Sequence, residues 1–182
     1  EALTRGSCKT EDLLPRADNE DIYAVQLFGS DAGRMADSAR IVIDLTGTEC
    51  VDINAGCPVP KIVKTGAGSA LTRDPDRLAG IVRATVRAAA EAGEKRSGTA
   101  VPVSVKIRSG WDETSITWED AARASIEAGA KAVTLHPRTR AQGYGGKADG
   151  GAIGTLARAL APRGVAVLGS GDVFSAEAAV AM

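Results

Sequence analysis

Residues 101–136 read VPVSVKIRSGWDETSITWEDAARASIEAGAKAVTLH, and this stretch decides the fold. It opens and closes with apolar, β-branched runs, 101–107 and 132–136, which predict two strands. Between them, residues 118–128 predict a helix that Gly129 ends. Strand, helix, strand is the pattern of two parallel strands joined by a right-handed crossover, because parallel neighbours need a long return connection.

The same alternation extends in both directions along the chain. The predicted strands are 24–28, a weaker 50–54, 101–107, 132–136 and 165–168. The clearest helix is 74–92, with Asp74 as N-cap, Pro75 in the first turn and Gly93 just past the end. Further helices are predicted after Asp31, Gly151 and Ser175. The chain is therefore an α/β protein with a parallel sheet.

Two parallel folds fit this alternation: a (β/α)8 TIM barrel and a doubly wound sheet. Each strand ends in polar or glycine-rich residues, as a barrel mouth requires: Gln26, 54–57, Lys106 with Arg108, His136 with Arg138, and 169–172. A complete barrel takes about 250 residues. The 182 residues supply about five βα units, so we expect an incomplete TIM barrel.

Composition narrows the class of protein. With 44% hydrophobic and 25% charged residues, the chain is typical of a soluble globular domain. It has no apolar run long enough to span a membrane and no secretory signal, so a cytoplasmic location is expected. Cys8, Cys50 and Cys57 show neither zinc-ligand nor disulfide-framework spacing, so no metal site is expected. The net charge of −1 does not decide nucleic-acid binding.

The loop after the second strand is the first candidate for chemistry. Residues 52–58 read DINAGCP and open a long loop of glycines and lysines that precedes the helix at Asp74. Cys57 lies beyond the strand, whereas Cys50 enters it and suits core packing. A thiol in such a loop can act as a nucleophile or as an acid, and the residues alone leave both roles open.

Three other strand ends carry candidate groups. Lys106 ends an apolar strand, where an ammonium needs a phosphate, a cofactor ring or a carboxylate as partner. His136 precedes a basic cluster that does not suit a core. The turn 169–172, GSGD, can present backbone N–H groups to a phosphate. A phosphorylated cofactor or substrate is one interpretation of this turn.

Five ordered motifs resemble bacterial tRNA-dihydrouridine synthases. The similarity extends from about residue 24 to residue 182. The motifs are Val25-Gln26-Leu27-Phe28-Gly29, residues 52–61, residues 64–71, Val105-Lys106-Ile107-Arg108, and His136-Pro137-Arg138-Thr139-Arg140. Their order and spacing make a chance match improbable.

The resemblance implies a tRNA-modifying oxidoreductase. Members of that family are FMN-bound (β/α)8 barrels followed by a helical domain that grips tRNA, and NADPH reduces the flavin. The resemblance therefore implies that residues 1–182 form part of the FMN-binding catalytic barrel, without its first and last strands and without the helical tRNA-binding domain.

The resemblance also implies roles for individual residues. Cys57 would protonate C5 of uracil while the reduced flavin delivers hydride to C6. Asn54 would hold the target base, and Arg138 would lie near the base or the RNA. The expected flavin contacts are Gln26, Lys106 and His136 at the ring or ribityl chain and Gly169, Ser170 and Gly171 at the phosphate.

Two alternatives stay open on the sequence. One is another FMN barrel that reduces a free pyrimidine, such as a dihydroorotate or dihydropyrimidine dehydrogenase. The other is a catalytically inert phosphate-binding or RNA-binding remnant. The combination of Asn54-x-Gly56-Cys57-Pro58 with His136-x-Arg138-Thr139 favours the tRNA enzyme.

Overall fold

The computed structural model describes residues 3–6 and 12–182, and Cys8 lies outside these ranges. Five strands form one parallel sheet: β1 Ala24–Leu27, β2 Cys50–Ala55, β3 Val103–Arg108, β4 Ala132–His136 and β5 Ala166–Gly169. The helices are α1 Ala32–Thr46, α2 Pro60–Val63, α3 Pro75–Ser97, α4 Trp118–Glu127, α5 Gly150–Leu160 and α6 Ala176–Ala181. Short 3-10 helices cover 3–5, 68–73 and 161–163.

The order of the strands separates the two predicted folds. Each strand pairs in parallel with the next one along the chain, in the order β1-β2-β3-β4-β5. In a doubly wound sheet the order of the strands reverses at a switch point, so some consecutive strands are not neighbours. In a barrel each new strand is added on the same side of the one before it. The prediction of a partial TIM barrel is therefore confirmed, and the doubly wound alternative is wrong.

The two faces of the sheet differ in chemistry. The face toward the helices is apolar and buried, with Val25, Val51, Ile53, Val103, Val105, Ile107, Val133 and Leu135. Adjacent strands share register, so alternate residues form the opposite face: Gln26, Asp52, Asn54, Ser104, Lys106 and Thr134. In a barrel this second face is the interior. Its polarity indicates that it receives a polar ligand.

Helix α3 runs further than the sequence indicated. Asp74 caps it, accepting a hydrogen bond from the Arg77 N–H as predicted, but the helix passes through Gly93 and ends before Gly98. A Cβ on Gly93 would lie 2.5 Å from the carbonyl oxygen of Thr99. Gly93 is thus a close-packing residue, and the prediction that it ends the helix is wrong.

The starts of α1, α4, α5 and α6 lie at or next to their predicted positions, whereas the short helix α2 was not predicted. Asp31 and Ser175 cap α1 and α6 through side-chain hydrogen bonds, and Asp149 caps α5, which begins at Gly150. Among the described residues, no helix combines the length and the apolar character needed to cross a membrane.

Candidate active site at the carboxyl ends of the strands

The predicted site residues meet on neighbouring strands at one edge of the sheet. Asn54 on β2 stands in register with Lys106 on β3, and Arg108 stands in register with His136 on β4. Gln26 on β1 hydrogen-bonds to Asn54. Parallel strands end at the same edge, so these side chains lie at one end of the sheet.

Cys57 is held through its backbone from two sides. Its N–H donates to Oδ1 of Asn54 over 2.9 Å. Its carbonyl oxygen accepts from the N–H of Ser69 over 3.0 Å and from the Ser69 hydroxyl over 2.9 Å. The thiol is half-buried and forms no disulfide. These bonds fix the backbone of Cys57 and therefore the position from which its side chain projects. A general acid has to be positioned in this way.

Gly68 allows Ser69 to approach Cys57. Its φ is +62°, in the left-handed region, and a Cβ there would lie 2.7 Å from the carbonyl oxygen of Cys57. Only glycine meets both demands without strain. The sequence showed a glycine-rich loop here but did not indicate that Gly68 and Ser69 contact Cys57.

A chain of hydrogen bonds extends from Asn54 across the inner face of the sheet. Asn54 Nδ2 donates to Gln26 Oε1 over 2.9 Å, and Gln26 Nε2 donates to Asp52 Oδ2 over 2.6 Å. The Ser104 hydroxyl donates to the other oxygen of Asp52 over 2.5 Å. Sequence reasoning assigned no role to Asp52 or Ser104, because their partners lie on other strands.

Lys106 is a half-buried cation on the same face. Burial lowers the pKa of its ammonium, the charge of Arg108 lowers it further, and Asp52 opposes the shift. Among residues 3–6 and 12–182, its side chain forms no hydrogen bond or ion pair. A half-buried ammonium without a partner is unfavourable. Lys106 is therefore suited to meet an anionic or acceptor-rich ligand.

His136 is a buried, neutral imidazole. It is 7% exposed, and burial, followed by the charges of Arg108, Lys106 and Arg138, lowers its pKa to about 4. Arg138 Nη1 lies 3.3 Å from Nε2 of His136. Because a guanidinium can only donate, Nε2 must accept and the ring proton must sit on Nδ1. His136 thus offers an N–H donor at Nδ1.

Arg138 is enclosed by its own neighbours. The residue is 5% exposed; Nε donates to the Gly145 carbonyl over 3.1 Å, and Nη2 donates to the Gly146 carbonyl over 2.7 Å. Nη2 also pairs with Asp172 over 2.6 Å. These bonds make Arg138 an organiser of the loop after β4. Its contact with substrate stays a prediction.

Arg108 organises the same loop. It is 2% exposed, and its Nη1 donates to the carbonyls of Thr139 and Gly143 over 3.0 and 2.7 Å. Asp172 closes the loop from β5 by accepting the Ala148 N–H over 2.8 Å. This backbone bond, followed by the bond from Arg138, lowers the pKa of Asp172.

The glycine-rich turn after β5 packs directly on His136. Gly171 has a φ of +103°, and a Cβ there would lie 2.7 Å from Cδ2 of His136. The Ser170 N–H donates to the Leu135 carbonyl over 3.1 Å and so ties the turn to β4. The turn lies beside the other site residues, and phosphate binding by Gly169, Ser170 and Gly171 stays a prediction.

Comparison with known proteins identifies the family. A family model described as "Dihydrouridine synthase (Dus)" matches residues 1–182. The chain is 50% identical to a probable tRNA-dihydrouridine synthase of Treponema pallidum, covering 100% of this chain and 52% of that protein.

Two further relatives have similar names. The chain is 43% identical to probable tRNA-dihydrouridine synthase 1 of Synechocystis, over 89% of this chain and 42% of the relative. It is 36% identical to tRNA-dihydrouridine synthase B of Xanthomonas campestris, over 96% and 48%. The chain spans about half the length of these relatives. It belongs to the dihydrouridine synthase family.

Proposed function

We propose that this chain is the catalytic part of an enzyme that reduces the C5–C6 double bond of uridine in tRNA to 5,6-dihydrouridine. The observation that carries the proposal is Cys57, held between Asn54 and Ser69 at the carboxyl edge of the sheet. Family membership and the names of the relatives support the same reaction. A tRNA substrate also favours a cytoplasmic location.

The residues present fit FMN as the cofactor and NADPH as its reductant. Lys106 has no partner in the described part of the chain, and His136 offers its Nδ1–H. Gln26 uses one Nε2 hydrogen on Asp52 and keeps the second for a ligand. Such donors suit the acceptor-rich edge of a flavin ring, and FMN, when bound and reduced, supplies the hydride for C6 of uracil.

Asn54 and Cys57 act on the base in this proposal. Asn54 Oδ1 accepts from the N–H groups of Gly56 and Cys57, and one Nδ2 hydrogen goes to Gln26. The second Nδ2 hydrogen is left for a uracil carbonyl. The thiol of Cys57 then donates a proton to C5, which completes the addition of hydride and proton across the double bond.

The remaining predicted residues hold the cofactor and the substrate in place. Gly169, Ser170 and Gly171 would bind the FMN phosphate, and Arg138 would act near the base through the loop that it organises. The target uridine must leave its base stack to reach this site.

The test is dihydrouridine in tRNA from a deletion strain complemented with the full-length gene. We expect mass spectrometry to detect dihydrouridine with the native gene and with Cys50→Ala, but not with Cys57→Ala. Cys50 is the matched control because it is a half-buried thiol on β2 bonded to Ser104, away from the loop. Dihydrouridine at the native level in the Cys57→Ala strain would contradict the proposed acid.

The size of the substrate separates the tRNA enzyme from a free-pyrimidine reductase. We expect the purified full-length protein to oxidise NADPH when tRNA lacking dihydrouridine is added, and not when uracil or orotate is added. Equal turnover of orotate and tRNA would remove the tRNA assignment.

A further inference from the structure

Asp52 stands at the origin of a directed series of hydrogen bonds that ends at Cys57. One of its oxygens accepts from Gln26 Nε2, Gln26 Oε1 accepts from Asn54 Nδ2, and Asn54 Oδ1 accepts from the Cys57 N–H. The series crosses from β2 to β1, returns to β2 and enters the loop. Nothing in the proposed chemistry uses Asp52 itself.

The direction of this series follows from the donors and acceptors at its two ends. A carboxylate can only accept, so Gln26 must turn its NH2 group toward Asp52 and its oxygen toward Asn54. Asn54 must then turn its NH2 group toward Gln26, which leaves its oxygen for the loop. The loop N–H groups of Gly56 and Cys57 can only donate and require that oxygen.

A carboxamide by itself has no such preference, because its two ends are nearly equal in shape and differ only in their hydrogen bonds. If Gln26 turned over, its NH2 group would face the NH2 group of Asn54. If Asn54 then turned over as well, its NH2 group would face the N–H of Cys57. Either change leaves donors facing donors, which loses hydrogen bonds of the series. Gln26 is exposed and Asn54 is half-buried, so the loss is larger at Asn54, where water has less access.

We infer that Asp52 is a positioning residue that fixes the orientation of the Gln26 and Asn54 carboxamides and, through Asn54, the place of Cys57. The inference rests on the proposed function for its catalytic meaning. Its structural content is independent of the reaction: the free hydrogens of Gln26 and Asn54 are presented to ligands as donors because Asp52 accepts from Gln26.

The orientation can be measured without activity. Residues 3–6 and 12–182 include the carboxamides of Asn19, Gln26, Asn54 and Gln142. In full-length protein labelled with 15N at Asn and Gln, the resonances of Asn54 and Gln26 are identified by their loss in Asn54→Asp and Gln26→Glu. We expect one hydrogen of each to exchange with water more slowly than the other, with the larger protection at half-buried Asn54 and the smaller at exposed Gln26.

Three variants of the series give the test. Asp52→Leu removes the acceptor at similar size, and we expect protection of both carboxamides to fall, by about tenfold at Asn54. Asp52→Asn keeps one acceptor oxygen and should retain most of the protection. Ser104→Ala is the matched control, because it removes a hydrogen bond to the same carboxylate but not the acceptor for Gln26. Should Asp52→Leu not fold, Asp52→Ala replaces it.

Activity then connects orientation to catalysis. In single-turnover reduction of uridine in tRNA, we expect Asp52→Leu to be slower by about 100-fold, as for a misplaced catalytic group, and Asp52→Asn to recover at least a tenth of the native rate. The rate at which NADPH bleaches the bound flavin should change much less.

The possible results separate the inference from the proposed function. Native exchange protection in Asp52→Leu, or equal loss in Asp52→Leu and Ser104→Ala, overturns the inference whatever the reaction is. Loss of protection with a native rate of uridine reduction also overturns it. Absence of dihydrouridine with the native protein overturns the proposed function and leaves the exchange result to decide the role of Asp52.

Discussion

Arg138 donates a hydrogen bond to Nε2 of His136 over 3.3 Å, and both side chains are buried. His136 is the one histidine of the chain, so a single imidazole reports on this edge of the sheet. The bond places the ring proton on Nδ1, and burial keeps the ring neutral.

We expect the pKa of His136 to be about 4 in the folded protein, against an ordinary value of 6.5. Between those values the unfolded chain binds one more proton than the native state. His136 therefore lowers the free energy of unfolding as the pH falls through this window, by at most about 3 kcal/mol.

The activity should show no inflection from His136 between about pH 6 and 8. Histidine-selective 15N NMR measures both pKa and tautomer, and a ring that titrates near 6.5 would contradict the assignment.

Replacing Arg138 by methionine should raise the pKa of His136 above its native value. Arg138 contributes a positive charge that lowers this pKa, although burial is the larger cause, so the return toward 6.5 is expected to be partial. Nε2 would also lose its donor, so both neutral tautomers should appear in the NMR spectrum. Arg123→Met, at an exposed arginine on α4, is the control and should leave the imidazole unchanged. An unchanged pKa in Arg138→Met would show that the hydrogen bond does not set the state of the ring.

The architecture and the meeting of the site residues were predictable because their signals are local. Apolar runs mark the strands, and a parallel sheet brings the carboxyl ends of its strands to one edge whatever the conformation of the loops. Gln26, Asn54, Cys57, Lys106 and His136 could therefore be placed near each other from the sequence. The helix end at Gly93 could not, since the reason for that glycine lies in a close approach to Thr99 that no local pattern shows.

The supporting contacts were beyond sequence reasoning for a related reason. Asp52 is bonded to Gln26, 26 residues away, and Ser104, 52 residues away, so its partners depend on strand register. The sequence motif predicted a contact between Arg138 and the substrate. It could not predict the hydrogen bonds of Arg138 to the loop after β4, because they depend on how that loop folds back. A motif identifies residue types at a site, whereas long-range geometry assigns their partners.

Replacing Gly68 by alanine should impair the site more than it destabilises the fold. The backbone is in the left-handed region, which costs alanine about 1 kcal/mol, and the new Cβ would also meet the Cys57 carbonyl. Gly164 is the matched control, because its φ is +64° and a Cβ there would meet nothing within 4 Å. Both variants should lose stability in denaturant unfolding, Gly68→Ala the more because of the added contact with the Cys57 carbonyl, and only Gly68→Ala should lose more than about tenfold in uridine reduction. Equal activity losses in the two variants would indicate backbone strain alone.

Replacing Lys106 by methionine should change stability and cofactor binding in opposite directions. Methionine fills a similar volume without placing a charge in a half-buried position, so the FMN-free protein should gain on the order of 1 kcal/mol in its free energy of unfolding. FMN should bind about tenfold more weakly, because the ligand loses a cationic donor. Lys131→Met is the control: Lys131 is exposed at the opposite end of β4, and both quantities should stay at their native values.

Flavin fluorescence titration and urea unfolding of the full-length protein measure the two effects. A Lys106→Met protein that binds FMN as tightly as the native one, or that is less stable without it, would show that Lys106 already has its partner inside the protein.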